Sequence, residues 1–179
     1  VALANSATDQ VISTLTANAK DSFGLLVGSL NSSVAGRNLF GGTATDTAAL
    51  APAQDILSDL RTFTASAATP TEFRQQIEDW FAGPEFTANG YLGNDDPLAF
   101  QLSEGDRAGS NVNANNEELR ALMVEVSIAA LADGHPSGFS TAEKQTLLMS
   151  SGESLLAGQD GLIGLRADIG LLQERIEDE

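Results

Sequence analysis

Gly161-Leu162-Ile163-Gly164-Leu165-Arg166-Ala167-Asp168-Ile169-Gly170-Leu171-Leu172-Gln173-Glu174-Arg175-Ile176 is the most regularly patterned stretch of the sequence. Leu155, Leu162, Ile169 and Ile176 follow one another at intervals of seven, and Leu165 and Leu172 fill the intermediate position. A heptad of this kind draws a narrow apolar seam along an α-helix that packs on another helix. Glycines at 152, 158, 161 and 164 interrupt the pattern. Each costs about 1 kcal/mol relative to alanine in a helix interior, so a break or kink is expected between Ser150 and Gly161.

A matching seam lies near the other end of the chain. Ile12, Leu15, Ala19, Phe23, Leu26, Leu30 and Val34 recur at steps of three and four, which predicts one long amphipathic helix over this range. Two long helices at opposite ends, each with one narrow stripe, bury those stripes most simply against each other as an antiparallel pair. The expected fold is therefore mainly α, in an α+β arrangement. Residues 1–42 with 140–179 make a discontinuous long-helix core, and 43–139 form an inserted segment.

The inserted segment opens at Gly41-Gly42-Thr43 and shows three shorter helices with readable starts. Ala51-Pro52 leads into Ile56, Leu57 and Leu60. Thr69-Pro70-Thr71-Glu72 combines a capping box with proline at the first helical position, and Gly83-Pro84 ends that helix. Asn115-Asn116-Glu117-Glu118 caps a third, which stops at Asp133-Gly134, and Ser140-Thr141-Ala142-Glu143 caps the returning helix. Leu98, Phe100 and Leu102 alternate with polar residues before a Glu104-Gly105-Asp106 turn, so one small hairpin or sheet is expected there.

With 25 acidic and 9 basic side chains the net charge is -16. Such a surface repels polyanions, which argues against nucleic acid and against anionic membrane as partners. The absence of cysteine removes disulfides, thiolate metal sites and cysteine nucleophiles. The chain starts at Val1 and ends in Gln173-Glu174-Arg175-Ile176-Glu177-Asp178-Glu179, still in a helical pattern, and reads as part of something longer.

Few residues propose chemistry. His135, the only histidine, lies in Asp133-Gly134-His135-Pro136-Ser137-Gly138, which has the residue types of a catalytic triad but reads as an exposed turn. Gly93-Asn94-Asp95-Asp96-Pro97 offers oxygen ligands of the kind calcium prefers, without the spacing of an EF-hand; a solvated turn is the plainer reading. Gly158, Gly161 and Gly164 match no phosphate-binding loop. Asn31-Ser32-Ser33 fits a glycosylation acceptor formally. Phe73, Ile77, Trp80 and Phe81 share one helix face and read as core. No catalytic, cofactor-binding or metal-binding set emerges.

At the end of the first long helix stands Leu30-Asn31-Ser32-Ser33-Val34-Ala35-Gly36-Arg37-Asn38-Leu39-Phe40-Gly41-Gly42-Thr43-Ala44-Thr45-Asp46-Thr47. This resembles the flagellin superfamily, in which a Leu-Asn helix end runs into Gly-Arg-x-Leu-Phe-x-Gly-Thr. The Thr-x-Thr-Asp-Thr that follows is more like its hook-associated branch, which joins hook to filament, than filament flagellin. Leu165-Arg166-Ala167-Asp168-Ile169-Gly170 and Gln173-Glu174-Arg175-Ile176 are similar to the superfamily's returning helix. The motif positions are thus Leu30, Asn31, Gly36, Arg37, Leu39, Phe40, Gly42, Thr43, Asp46, Leu165, Arg166, Gly170 and Arg175. Leu39 and Phe40 are expected to turn inward as an anchor.

The resemblance implies a structural, non-catalytic, extracellular role in the bacterial flagellum. Its partners would be copies of itself and neighbouring axial proteins, hook-associated proteins and flagellin among them, with no cofactor. Without the terminal polymerisation segments of such proteins, the chain alone would be monomeric. Filament flagellin and a non-flagellar helical binding or adhesion domain are the alternatives.

Overall fold

The computed structural model describes residues 2–34, 36–96, 98–103, 106–110, 112–165 and 167. Among these the chain is mainly helical. Helix α1 spans Ala2–Leu30, and the strands β1 (Ser33–Val34) and β2 (Arg37–Asn38) follow it directly. Then come α2 (Ala53–Phe63), α3 (Pro70–Ala82), β3 (Leu98–Ser103), β4 (Asp106–Ser110), α4 (Glu117–Leu131) and α5 (Thr141–Ala157). β1 pairs antiparallel with β2, and β3 pairs antiparallel with β4, Leu98 standing opposite Ser110.

The helix starts are set by side chains that satisfy the free amides of the first turn. Thr69 accepts from the Glu72 amide at 3.2 Å, while the Glu72 carboxylate accepts from the Ala68 amide at 2.8 Å. Asn116 accepts from the amides of Glu118 and Leu119, and Ser140 and Glu143 form a reciprocal capping box. α5 ends at Ala157 with Gly158 as its C-cap, inside the range where glycines weaken the pattern, and helical conformation resumes over 159–165.

α1 ends at Leu30, one turn before the periodicity that ran on to Val34. The reason is chemical. Asn31 turns its side chain to Leu50 instead of continuing the helix, and Val34 joins β1.

The most extensive partner of α1 is α4, and α5 also packs on α4. Their directions follow from the contacts. The Ala114 amide, just before α4, donates to the Phe40 carbonyl beyond the end of α1, so α4 starts where α1 finishes. Thr141 at the start of α5 donates to Asp9 near the start of α1, at 2.7 Å. At the far end of α5, a side chain at Gly161 would touch Glu118 in the first turn of α4. α4 is therefore antiparallel to both α1 and α5, and α1 and α5 run the same way. The antiparallel partner that the periodicity assigned to the returning helix is, for the described residues, α4. A seam marks a face but does not name what covers it. Ile169, Leu172 and Ile176 lie outside the described residues, as do Arg166, Gly170 and Arg175.

A single buried cluster draws on 1–42, 43–139 and 140–179 alike. Phe23, Val27 and Leu30 of α1 meet Leu60, Phe73, Trp80, Met123, Ile128 and Leu147. Ala19 and Leu26 pack at its edge. Ile12 is buried, whereas Leu15 is 47% exposed and Thr16 takes the inward position. The buried face of α1 thus runs through Ile12, Thr16, Phe23, Val27 and Leu30. Val11, Leu15, Asn18, Ser22, Leu25 and Ser29, at steps of three and four, form a second stripe that faces outward, apolar at Val11, Leu15 and Leu25 and polar between them.

Polar ties hold the helices in register. Arg74 of α3 donates to Glu125 of α4 at 2.8 Å and to Ser150 and Ser151 of α5 at 3.0 and 3.2 Å. Lys144 of α5 donates to Asp133 after α4 at 2.7 Å, and this bond holds the Asp133 carboxyl below the usual carboxylate range.

Candidate functional site

The motif after α1 folds into a clamp that fastens the helix end to the rest of the core. Asn31 keeps its amide on the helix, bonded to the Val27 carbonyl at 2.9 Å. Its side-chain amide donates to the Leu50 carbonyl at 2.9 Å, and its side-chain oxygen accepts from the Leu50 amide at 2.7 Å. One side chain thereby pairs with Leu50 as a neighbouring strand would. The opposite edge of the same segment bridges to Tyr91, with the Leu92 amide on Ala49 and the Ala51 amide on Gly90. Both Asn31 groups are occupied, so the glycosylation reading of this asparagine falls.

Gly36 lies at φ 77° in the turn between β1 and β2, a left-handed conformation that glycine adopts without strain. Arg37 follows it as the first residue of β2, opposite Val34, and its exposed side chain makes no hydrogen bond or ion pair among the described residues. Asn38 returns to Thr45, its amide 2.8 Å from that carbonyl. The Phe40 ring packs at the edge of the core, while Leu39 is half-buried and outside the cluster, so only one of the two expected anchors is seated there.

The segment then meets the loop at 93–96 backbone to backbone. A Cβ on Gly93 would stand 2.7 Å from the Gly41 Cα, and one on Gly42, at φ 63°, would collide with the Asn94 carbonyl oxygen. Thr43 and Asn94 exchange hydrogen bonds, the Thr43 amide donating to Oδ1 at 2.9 Å and the Asn94 side-chain amide donating to Thr43 Oγ1 at 2.8 Å. Asp46 is exposed, and Leu165, near the other end of the chain, is half-buried against the core.

Asn94 and Asp95, weighed as calcium ligands, are committed to this framework. Asp95 accepts from Asn115 at 2.9 and 3.1 Å, and the Tyr91 hydroxyl donates to the Asn94 carbonyl. Burial, with the nearby Asp95 charge, pushes the Tyr91 hydroxyl pKa well above its ordinary value.

The chain matches no known family model, no curated protein and no solved structure.

His135 departs from the expected exposed turn. It is buried, with its ring stacked on Phe139 at 4.6 Å and edge-on to Phe73 at 5.0 Å. Nε2 lies 3.0 Å from the Thr64 carbonyl, and Nδ1 accepts from the Ser137 amide at 3.3 Å. Ser137 donates its hydroxyl to the Ala67 carbonyl. With Nε2 protonated and Nδ1 bare, both ring nitrogens are satisfied, and neither His135 nor Ser137 has a group free for proton transfer. The composition of the turn hid this, because its partners Thr64, Ala67 and Phe73 are distant in sequence. His135→Ala is expected to lower stability by about 2 kcal/mol through the lost bonds and stacking; a urea midpoint unchanged from that of the parent would refute the structural role.

A pocket of about 390 Å³ opens between α3, α4 and α5. Phe81, Leu122, Leu155 and Leu162 supply apolar walls, and Glu78 and Glu117 lie among its lining residues. Arg120 also lines it, donating to the Phe81 carbonyl at 3.3 Å. Periodicity marked Leu155 and Leu162, but nothing in sequence marked their junction with the end of α3.

Proposed function

We propose that the chain is a structural component of the bacterial flagellum, an axial protein of the flagellin superfamily and of the hook-associated kind that joins hook to filament. The observation that carries this reading is the clamp: Asn31, Gly36 and the 40–43 run are spent on fixing the exit of a long helix to a core. Those are the residues whose pattern resembles the superfamily, and their roles here are mechanical. Groups that suggested chemistry elsewhere, His135 and Asn94 to Asp95, are tied into structural hydrogen bonds.

A mechanical subunit needs surface for its neighbours. The outward stripe of α1, with Val11 57% and Leu25 74% exposed, sets apolar side chains two heptads apart with Asn18 midway, and another helix can meet such a row. A polar residue at the centre of an otherwise apolar row favours the register in which it too is matched. Copies would lie side by side with their long helices along the axis, outside the cell, between the hook and the filament. The acidic surface would keep unassembled copies apart.

Immunogold electron microscopy of intact flagella, with antibodies raised against this chain, tests the proposal. Gold confined to the boundary of hook and filament is the expected result. Gold along the whole filament would reassign the chain to flagellin, and unlabelled flagella with accessible epitopes would overturn the flagellar reading.

A further inference from the structure

We infer that Arg37 of one copy seats in the pocket between α3, α4 and α5 of the copy beside it. This rests on the flagellar reading above and names the contact by which neighbouring copies would recognise each other. Arg37 stands beside the β1–β2 turn with its side chain exposed and without a partner among the described residues, although the chain has few cations. The pocket is its chemical complement. Its apolar walls suit the arginine stem, Glu117 supplies a carboxylate without an ion-pair partner among the described residues, and Glu78, which Arg74 holds only at 3.6 Å, stands beside it. Glu125 is more tightly held, by Arg74 at 2.8 Å, and Arg120 turns one guanidinium nitrogen to the Phe81 carbonyl at 3.3 Å.

Height along the helices selects the pairing. The β1–β2 turn stands at the end of α1 where α4 begins, and Glu117 is the first residue of α4. Donor and pocket therefore share one level. Copies set side by side by rotation about an axis parallel to the helices bring Arg37 of one level with the pocket of the next, a heterologous contact that closes into a ring. Arg61, another exposed cation, sits at the end of α2 next to Thr64, which contacts His135 past the far end of α4, and so lies at the wrong level. A surface of net charge -16 also gives cations unusual value, since acidic copies repel everywhere that an opposite charge is not opposed.

The chain has no cysteine, so introduced thiols report only on the positions chosen. Arg37→Cys and Glu117→Cys would be placed together in the chromosomal copy, and isolated flagella treated with a short bis-maleimide. A ladder of cross-linked multimers is expected from the double variant, and monomers from each single variant. Immunogold on the unsubstituted strain reads the flagellar assignment separately: labelled junctions with no ladder would overturn the Arg37 contact alone, and unlabelled flagella would overturn both. As a second readout, Arg37→Glu should reduce the protein retained on flagella at least tenfold while leaving its circular dichroism unchanged. Adding Glu117→Arg should restore retention. Wild-type retention by Arg37→Glu, or no rescue by the swap, would also overturn the contact.

Discussion

Replacing Trp80 with alanine is expected to remove about 4 kcal/mol of folding stability, a large share of what a domain of this size holds. The indole is 1% exposed and meets Phe81 edge-on at 5.0 Å and Phe86 at 5.7 Å. A side chain added at Gly90 would come within 2.9 Å of it, so the backbone on that side leaves little room to collapse into a cavity. Trp80→Phe should cost less than half as much. Because Trp80 is the only tryptophan, unfolding of both variants must be followed by circular dichroism in urea. A loss below about 1 kcal/mol for the alanine variant would mean that the aromatic cluster repacks, contrary to the tight fit around it.

Asn31→Ala is expected to cost about 3 kcal/mol. The truncation leaves the amide and carbonyl of Leu50, a residue with 0% exposure, without the partner that satisfied both. Asn31→Asp sharpens the test. A carboxylate still accepts from the Leu50 amide but faces the Leu50 carbonyl without a proton to donate. The charged form is then disfavoured in the folded state, so the folded carboxyl titrates above its unfolded value of about 3.9. The deficit relative to the parent chain should be full above the folded pKa and shrink as the pH falls toward the unfolded one. Equal deficits for Asn31→Asp across that range, or a stable Asn31→Ala, would remove Asn31 from the clamp.

Local features were the legible part of this molecule. The caps at Thr69, Asn116 and Ser140 rest on a few adjacent residues, and each appears where its pattern stands. Phe73, Ile77, Trp80 and Phe81 are buried together as their spacing on α3 implies. Pairing was less legible, because a stripe records that a face is covered and not by what. α4 has buried residues on several sides, including Leu119, Met123, Val124, Ile128 and Leu131, and so accepts both α1 and α5. Thr16 shows the limit on α1 itself, where a polar residue occupies the buried face and Leu15 does not. The clamp was legible only as a string of motif letters. Its chemistry depends on Leu50, Gly93 and Asn94, which sequence distance separates from Asn31 and Gly42.

The placement of α4 also bears on how the chain comes together in time. α1 is made before the other described elements, yet the surface that covers Phe23, Val27 and Leu30 is completed only when Glu117–Leu131 has been made. At ordinary rates of synthesis, roughly 5 to 20 residues per second, that interval lasts on the order of 5 to 20 seconds. The clamp to Leu50 and the packing of α2 on α1 can form earlier, but closing the long loop to α4 is slow, so the nascent chain spends this period with α1 only partly covered. Any chaperone that acts on it would meet that face of α1 before the folded protein hides it.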